Sequence, residues 1–421
     1  MIAGVLADLR SRASHADLVR ARDETTTVVL SADREATVSI DQSDTVQIRA
    51  LAAGRLGWAG GHTAAVGAVA ESALRSAAAG DLAEMFFPAP AALPPVITRS
   101  PAAAALAAAD LLHLAGSVAG RLLRFNRRIV TWAERSVGTI DVGSTRGVLA
   151  SYDVTLVGLG LSVAGGPGPC QLHLASVPPP DETAIESLVA EVESRLAPEP
   201  LELDGLPPTA RVWFKPRAVR GLLSPLLVHH SSGRWAGDRS RPLAIDERLS
   251  LVDDPLIDSR PGSRPICDDG VPTQRRTLIR NGQPVAGLLD LRTASRLRLP
   301  ASGHGVRRGF RPPVAQYSNL VLEATEPGVS DLAGAVGDGL LVSEIQVGPA
   351  PNPVRGVFRV AVPWCYRIVG GRIVGRVEGA VLTGDVGRLF ERVAAIGADA
   401  QWHGAVRVPS LVLDGVGVTL R

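Results

Sequence analysis

The residues best suited to bind a metal ion in this 421-residue chain are its eight histidines, of which His229 and His230 are adjacent. Neighbouring side chains point to opposite faces of a strand and lie about 100° apart on a helix, which disfavours both rings binding one ion. We therefore interpret this pair as partly exposed polar residues on a loop or helix. His403, which follows Trp402, is interpreted as a surface residue rather than as part of a site.

Carboxylates and a further histidine occur in two turn-like segments. Cys267 precedes Asp268-Asp269-Gly270, and two carboxylates in a tight turn suit acid–base catalysis or cation binding as well as ordinary turn formation. His304 lies among glycines and close to Arg307 and Arg308. There it can contact a peptide carboxylate or backbone, or serve as a structural turn histidine. The sequence leaves both pairs of alternatives open.

Two adjacent arginines, Arg275 and Arg276, have the chemistry to clamp a substrate carboxylate. Side chains alternate along a strand, so only one of the two can face a given cleft, and the other is expected at a solvated edge. Cys365 lies between Trp364 and Tyr366 in a strand-like segment without a basic neighbour. This setting predicts a buried, inert thiol rather than a nucleophile.

Common catalytic and ligand-binding signatures are absent from the sequence. It contains no G-x-x-x-x-G-K-[ST], no G-x-S-x-G and no H-E-x-x-H, and the glycine-rich run at residues 303–309 lacks the dinucleotide-binding spacing. The 44 basic and 42 acidic residues give a formal net charge of +2, which argues against a dedicated nucleic-acid surface. Three widely separated cysteines predict no disulfide framework.

The elements that must position these residues begin with alternating helices and short strands. A first helix carries the stripe Ile2, Val5, Leu6 and Leu9. Three alternating segments then predict a small antiparallel meander, and Thr63 caps a helix that Gly80 ends. A further helix opens at Ser100-Pro101, short strands cover residues 128–164, and an amphipathic helix begins after Asp181. The meander comprises Thr25–Leu30, Ala36–Ile40 and Thr45–Ala50.

The fold class that these elements predict is α+β, with a mixed N-terminal half of small antiparallel sheets and helices and a larger, mostly antiparallel β-rich C-terminal domain. An α+β module over residues 1–90 and a strand and helix module over residues 100–200 are expected to form one continuous N-terminal domain. A proline-rich linker at residues 197–208 leads into the C-terminal domain over residues 205–421. That domain is expected to include turns at Pro261-Gly262, Asn281-Gly282 and Gly370-Gly371 and a helix near Val386–Ile396.

Apolar segments in the N-terminal half do not predict membrane insertion. Asp8 and Arg10 lie where a signal peptide needs an uninterrupted apolar run. The stretch Ala102–Leu123 is interrupted by Asp110 and His113 and is amphipathic rather than uniformly apolar. We therefore expect a soluble, cytoplasmic protein without a membrane partner.

A series of motifs in the C-terminal half occurs in a fixed order. These are DDGVPTQRRTLIRNGQPVAGLL, ASGHGVRRG, YSNLVLEAT, GLLVSEI, GVFRVAVPWCYRIVGGRIVGRVEGAVLTGDVGRLFERVAAIG and VPSLVLDGVGV. Their order and spacing over roughly residues 205–421 resemble those of the TldD/PmbA family. The N-terminal half is similar more loosely, through TVQIRALAAGRLGWAGG and TIDVGSTRGVLASY.

The resemblance implies a pairing of related subunits, of which the TldD-like one carries H-E-x-x-x-H on a helix. There zinc activates a water molecule and polarises the scissile carbonyl. In TldD-like subunits this motif ends shortly before a Gly-Asp pair. Anchoring on Gly237-Asp238 places Val228 and Gly233 at the two histidine positions and His229 at the glutamate position. The further cysteine ligand of TldD-like chains has no counterpart in WHGAVRVPSL.

The resemblance therefore implies a TldE-like member that carries no catalytic residue and no metal of its own. We expect it to dimerise with a zinc-binding TldD-like subunit and to act on unfolded or leader-bearing peptides, including precursors of modified peptide natural products. Motif position makes Arg275, Arg276, His304 and Asn319 the candidate peptide-binding residues. Cys267 departs from the aspartate that is common before this family's turn, which weakens any inherited role for that turn.

Two other interpretations remain open. The first is a metallopeptidase with a rebuilt site, in which His229 or His230 joins His304 or His403. The second is a stand-alone peptide-binding module. The family's link with DNA gyrase modulation implies association with nucleic acid, but the balanced charge gives no support for it.

Overall fold

The chain has an α+β fold. The computed structural model describes residues 2–125, 127–166, 168–201, 207–231, 245–345 and 357–420. The α-helices of these residues are α1 (Ile2–Arg12), α2 (Val66–Ala78), α3 (Pro101–Ala104), α4 (Ala108–Leu122), α5 (Glu182–Leu196), α6 (Pro216–Ser231), α7 (Leu291–Leu297), α8 (Leu332–Val336) and α9 (Val386–Leu389).

The strands fall into an N-terminal and a C-terminal set. The N-terminal strands are β1 (His15–Leu30), β2 (Ala36–Ala52), β3 (Arg55–His62), β4 (Ile129–Ser144), β5 (Leu149–Val163) and β6 (Cys170–Ser176). The C-terminal strands are β7 (Pro200–Leu201), β8 (Thr209–Phe214), β9 (Leu249–Asp253), β10 (Arg276–Arg280), β11 (Gln283–Pro284), β12 (Gly305–Val306), β13 (Val314–Ala315), β14 (Leu320–Ala324), β15 (Gly339–Val342), β16 (Val357–Ala361), β17 (Cys365–Val369), β18 (Arg372–Val377), β19 (Ala380–Asp385), β20 (Val393–Ile396), β21 (Gln401–His403), β22 (Val406–Val408) and β23 (Leu411–Leu420).

The N-terminal strands form one antiparallel six-stranded sheet in the order β3-β2-β1-β4-β5-β6. The predicted meander of short strands is wrong, because Ala36–Ile40 and Thr45–Ala50 belong to the single strand β2. The polar residues between them stay in the strand because they pair with β1; Gln42, for example, donates a hydrogen bond to Glu24 over 2.9 Å. The short strands predicted over residues 128–164 are likewise the two long strands β4 and β5.

Helices α1 and α2 cover one face of this sheet, and α1 is confirmed by its buried Leu6 and Leu9. The prediction that Thr63 caps the second helix is wrong. The chain enters α2 through a short 3₁₀ turn, where the His62 ring accepts a hydrogen bond from the Ala64 N–H over 3.2 Å. The Thr63 hydroxyl instead donates to Asp44 over 2.6 Å.

Helices α4 and α5 share a core with both halves of the chain. The Ser100 cap is confirmed, but the predicted helix breaks after Ala104 and restarts at Ala108. The Asp181 cap of α5 is confirmed by a 2.8 Å hydrogen bond from the Ala184 N–H. The core combines these helices with the N-terminal sheet and with side chains of β15, β17 and β23, including Leu341, Tyr366 and Val412.

The C-terminal half contains a six-stranded sheet in the order β11-β10-β9-β14-β22-β21 and a nine-stranded sheet in the order β16-β19-β23-β8-β15-β17-β18-β7, with β20 beside β23. The described pairs are antiparallel except for β8–β15, β14–β22 and β7–β18. Both sheets share one apolar core with α6. The predicted turns at Asn281-Gly282 and Gly370-Gly371 are confirmed as hairpin turns with positive φ, which glycine tolerates best.

Two helix assignments in this half differ from the prediction. The helix predicted near Val386–Ile396 is wrong: α9 ends at Leu389, and β20 follows, because Val393 and Ile396 pack into the core as residues of a strand beside β23. Helix α6 was not predicted, since Pro225 lies inside it and proline normally interrupts a helical pattern. Among the described residues, no helix is long and apolar enough to cross a membrane.

Candidate functional site

His304 is buried, and both of its ring nitrogens are bonded inside the protein. Nε2 lies 3.0 Å from the Asp253 carboxylate, and Nδ1 lies 2.8 Å from the Ser302 hydroxyl. The ring is only 1% exposed. These bonds leave neither ring nitrogen for a peptide in this arrangement, and they fix the loop that precedes β12.

Asn319 is also buried with its amide fully used. Its Nδ2 donates to the Asp254 carbonyl over 2.9 Å and to the Ser263 hydroxyl over 2.8 Å. Its Oδ1 accepts a hydrogen bond from the Gly262 N–H over 3.0 Å. The side chain therefore holds the start of β14 against the loop at residues 254–263.

The two candidate arginines have different surroundings. Arg275 is exposed and forms an ion pair with Glu323 at 3.1 Å, with Asp254 at 3.6 Å. Arg276 is half-buried at the start of β10, and burial lowers the pKa of its guanidinium. Its Nε has no hydrogen-bond partner within the described ranges. The two side chains therefore do not form one clamp.

The Asp268-Asp269 turn belongs to a buried ionic network that joins the two halves of the chain. Arg49 of β2 pairs with Asp17 of β1 and lies 2.9 Å from Asp269. Arg307 pairs with Asp17, and its backbone N–H donates to Asp268 over 2.7 Å. Burial raises the pKa of both carboxyl groups of the turn. The partners of these carboxylates indicate a structural role.

The cysteine thiols of the C-terminal half are buried as well. Burial raises the pKa of Cys267 and of Cys365 to about 12. The predicted burial of Cys365 is confirmed, because it is 0% exposed. At neutral pH both thiols stay protonated and are poor nucleophiles.

A cavity of about 370 Å³ opens beside α6. Its polar lining comes from one face of the helix, from Glu344 after β15 and from Tyr317 before β14, while Val406 of β22 adds an apolar wall. The helical residues are Arg217, Arg220, Gly221 and Ser224. Neither the arginines nor Tyr317 is predicted as a site residue from the sequence. The YSN motif was the available signal, but the residue that it presents to the cavity is Tyr317 rather than Asn319.

The helix presents these residues because its opposite face is apolar. Ala218, Leu222 and Leu226 are buried in the core, whereas Arg217, Arg220 and Ser224 recur at three- and four-residue spacing on the other side. Gly221 permits close approach, since a Cβ there would collide with the Ile345 carbonyl. The helix and the segment after β15 therefore form adjoining walls of the cavity.

Cationic groups dominate the electrostatics of the cavity. Burial lowers the pKa of Arg217, and the carboxylates of Glu191 and Glu344 oppose this effect. Those carboxylates are shared with Arg195, whose fully buried guanidinium lies 3.0 Å from Glu191 and 2.8 Å from Glu344. Glu344 therefore pairs with a buried arginine and also lines the cavity.

His403 lies on the cavity side of β21, and the prediction that it is a surface residue is wrong. It is 9% exposed and pairs across the ladder with Val406, so the two side chains share one face of the sheet. Burial, together with Arg217 and Arg220, lowers the pKa of its imidazole to about 3. Its Nε2 is buried without a hydrogen-bond partner among the residues that the structure describes.

A second cavity, of about 530 Å³, is mainly apolar. Its walls include Val360 near the end of β16, the following Val362 and Pro363, and Trp364, whose Nε1 donates to the Pro169 carbonyl over 3.0 Å. Strand β16 lies at one edge of the nine-stranded sheet. Glu344 lines this cavity as well as the one beside α6, so the two adjoin at that residue.

The donor set of the cavity beside α6 does not fit a zinc ion. In the described part of the chain, no three His, Cys, Asp or Glu side chains are grouped to hold a metal. Two guanidinium groups in the same cavity repel a divalent cation. Of the degenerate motif positions, Val228 and His229 lie in the last turn of α6 with side chains that the structure does not describe, and Gly233 lies outside the described residues.

Comparison of the whole fold with solved structures gives close matches. TldE from Thermococcus kodakarensis superposes with a TM-score of 0.84, at 19% identity over 99% of both chains. A putative modulator of DNA gyrase from Thermotoga maritima MSB8 gives 0.83, at 17% identity over 100% of both. At these identities the matches establish the fold alone.

Sequence comparison supplies the family. A metalloprotease TldD homolog of Haemophilus influenzae is 27% identical over 148 residues, which cover 35% of this chain and 30% of that protein. A metalloprotease PmbA homolog of the same organism is 23% identical over 56% of this chain and 50% of its own length. The chain thus spans half or less of the length of these curated relatives. Residues 207–420, just over half of the chain, match the model of the PmbA/TldA metallopeptidase C-terminal domain, and the chain therefore belongs to the TldD/PmbA metallopeptidase family.

Proposed function

We propose that this chain is the TldE-like, non-catalytic subunit of a TldD/TldE-type metallopeptidase. In this role it binds peptide and shapes the substrate cavity, while a TldD-like partner with H-E-x-x-x-H holds zinc and cleaves the peptide bond. The fold shared with a protein named TldE supports the proposal. The family resemblance supports unfolded or leader-bearing peptides as substrates, including precursors of modified peptide natural products, and a cytoplasmic location.

The observation that carries the proposal is the sequence of α6 and of the residues that follow it. At the positions where a TldD-like subunit has its metal-binding histidines, this chain has Val228 and Gly233, which offer no ligand. The same helix directs Arg217 and Arg220 into the adjoining cavity. Zinc-assisted hydrolysis needs neutral or anionic ligands and an open coordination position. Fixed positive charge in the adjoining cavity opposes metal binding there but favours contact with peptide carbonyl and carboxylate oxygens.

The two adjoining cavities suit a peptide, because a peptide carries polar and apolar groups side by side. The cavity beside α6 offers guanidinium groups and the Tyr317 hydroxyl. The second cavity offers the exposed or partly exposed apolar side chains of Val360, Ala361 and Pro363. Binding sites commonly combine an apolar wall with a few placed polar groups that fix orientation.

Reconstitution with a TldD-like subunit tests this function. The purified full chain alone should not cleave an unfolded peptide, and chelator-sensitive cleavage should appear when an H-E-x-x-x-H subunit is added. An Arg217→Met/Arg220→Gln variant should lower the activity of the mixture, whereas Arg211→Gln should not, because Arg211 is exposed on β8 and pairs with Asp414 at 2.6 Å.

Two outcomes would contradict the proposal in different ways. Chelator-sensitive cleavage by this chain alone would favour the rebuilt histidine site. If the chain binds peptide but forms neither an active mixture nor a stable complex with any TldD-like subunit, a stand-alone peptide-binding module is favoured.

A further inference from the structure

We infer that the cavity beside α6 is an anion subsite that takes a carboxylate of the bound peptide, through Arg217 and Arg220. This inference rests on the proposed function, because it names the chemical group that the peptide presents to this subunit. It also specifies the contact: a guanidinium can hold both carboxylate oxygens with two parallel N–H donors.

Among the described residues around the cavity, positive charges outnumber negative ones. The carboxylates that act most strongly on Arg217 are Glu191 and Glu344. Both already pair with the buried Arg195, and Glu191 also lies 3.6 Å from Lys215. With Arg220 included, four cationic side chains share two carboxylates among the residues that the structure describes.

Arginine does not release its proton at physiological pH, so this excess cannot be relieved by deprotonation. Water solvates part of it at Arg220, which is exposed, but Arg217 is half-buried beside the fully buried Arg195. Uncompensated charge in a partly desolvated site is costly, and an anion that enters the site recovers part of that cost. The electrostatics therefore favour a negatively charged ligand group.

Near the cavity, one ring nitrogen of His403 is buried without a hydrogen-bond partner among the described residues. The ring is more than nine-tenths buried, its Nε2 has no hydrogen-bond partner among the described residues, and it faces the same side of the sheet as the cavity-lining Val406. A buried polar atom without a partner is rare and calls for a ligand or solvent partner. The ring lies close enough to Arg217 and Arg220 to feel their charge, so this nitrogen is a polar group behind the cavity wall rather than part of its lining.

The size of the cavity and its hydroxyl groups also suit a carboxylate. About 370 Å³ accommodates the end of a peptide or one acidic side chain, but not a folded segment. The hydroxyls of Ser224 and Tyr317 line the same space and can donate to the second oxygen of a carboxylate. Such a group comes from one of two sources, the C-terminal carboxylate of a peptide or an Asp or Glu side chain.

Binding of matched peptides to the purified full chain, without a partner subunit, tests the inference. Three unstructured alanine-rich peptides of equal length carry a free C-terminal carboxylate, a C-terminal amide with one internal Glu, or a C-terminal amide without an acidic residue. Calorimetry at fixed low salt measures each Kd. At least one carboxylate peptide should bind about tenfold more tightly than the neutral peptide, and the tighter of the two identifies the source of the carboxylate.

Variants distinguish this cavity from a general charge effect. Arg220→Gln should reduce the preference for the carboxylate to less than about threefold. Arg280→Gln, which removes the same charge from an exposed position at the end of β10, should leave the preference intact. Because Arg220 is exposed on the helix, its replacement is expected to fold; the far-ultraviolet circular dichroism of both variants checks this.

Equal affinity for the neutral peptide, a preference that survives Arg220→Gln and Arg217→Met together, or no binding of any peptide would each overturn the inference. These outcomes differ from failure of the proposed function. A chain that prefers the carboxylate but neither joins nor activates a TldD-like subunit keeps the anion subsite and contradicts the subunit role alone.

Discussion

Replacement of Arg49 by Met should strongly destabilise the chain, because this arginine joins its two halves. The guanidinium lies between Asp17 and Asp269, and the three side chains are at most 3% exposed. Removal of one partner from a buried ion pair typically costs about 3–5 kcal/mol, since the remaining charge stays desolvated. Met keeps most of the side-chain volume, so a cavity adds little. Asp17 keeps its ion pair with Arg307 in the variant, so only Asp269 loses its cationic partner and the loss of stability should not double.

The loss should also depend on pH in a predictable direction. Burial already raises the pKa of Asp269, and Arg49 is the strongest influence that lowers it. Without Arg49 this pKa rises further, so the folded state binds a proton at a pH where the unfolded state does not. Stability of the variant should therefore increase, relative to the natural chain, as the pH falls from 7 towards the raised pKa.

Urea unfolding at pH 7 and pH 5, followed by circular dichroism and tryptophan fluorescence, measures both effects. Arg211→Met is the matched control, because its pair with Asp414 is solvent-exposed and should contribute at most about 1 kcal/mol. Addition of Asp269→Asn to Arg49→Met should recover part of the loss in a double-mutant cycle. If Arg49→Met loses no more free energy of unfolding than the control, or if its loss grows at pH 5, Arg49 does not act as a buried ionic link between the two halves.

Three further predictions concern buried groups of the C-terminal half. Cys267 and Cys365 should not react with a thiol reagent at pH 8 in the folded chain but should react fully in denaturant, because burial raises both pKa values to about 12; rapid labelling of either under native conditions would contradict this. Trp364→Ala should reduce the free energy of unfolding by about 3–5 kcal/mol, as measured in urea, because the ring is 1% exposed. His403→Gln should flatten the loss of stability as the pH falls from 6.5 to about 3, since the unfolded chain protonates this histidine there and the folded chain does not; an unchanged pH profile would be inconsistent with a buried neutral ring.

Local signals predicted the elements whose determinants are close in sequence. Helix α5 has an aspartate cap at Asp181 and apolar residues at helical spacing, and the structure contains both. The turn at Asn281-Gly282 follows from the tolerance of these residues for positive φ. The extent of β2 was underestimated, because its polar residues are stabilised by paired residues of β1 that lie about twenty positions away in the sequence.

The candidate site depends on contacts that no local pattern reveals. His403 was interpreted as exposed, since its burial comes from α6, far away in the sequence. Arg217 becomes part of a cavity only when Glu344 and Tyr317 approach α6 from separate segments. The ordered motifs predicted the family. They also predicted His304 and Asn319 as peptide-binding residues, but the polar atoms of both side chains are hydrogen-bonded within the protein.

The number of zinc ions bound by the purified full chain decides whether this subunit holds a metal ion of its own. The chain should be exposed to zinc, passed through a desalting column and analysed by inductively coupled plasma mass spectrometry beside an H-E-x-x-x-H homologue. We expect far less than one zinc per chain here and about one in the homologue, because Val228 and Gly233 stand at the ligand positions and two arginines line the cavity beside α6. One tightly held zinc per chain that is lost on replacement of His229 or His230 would contradict it.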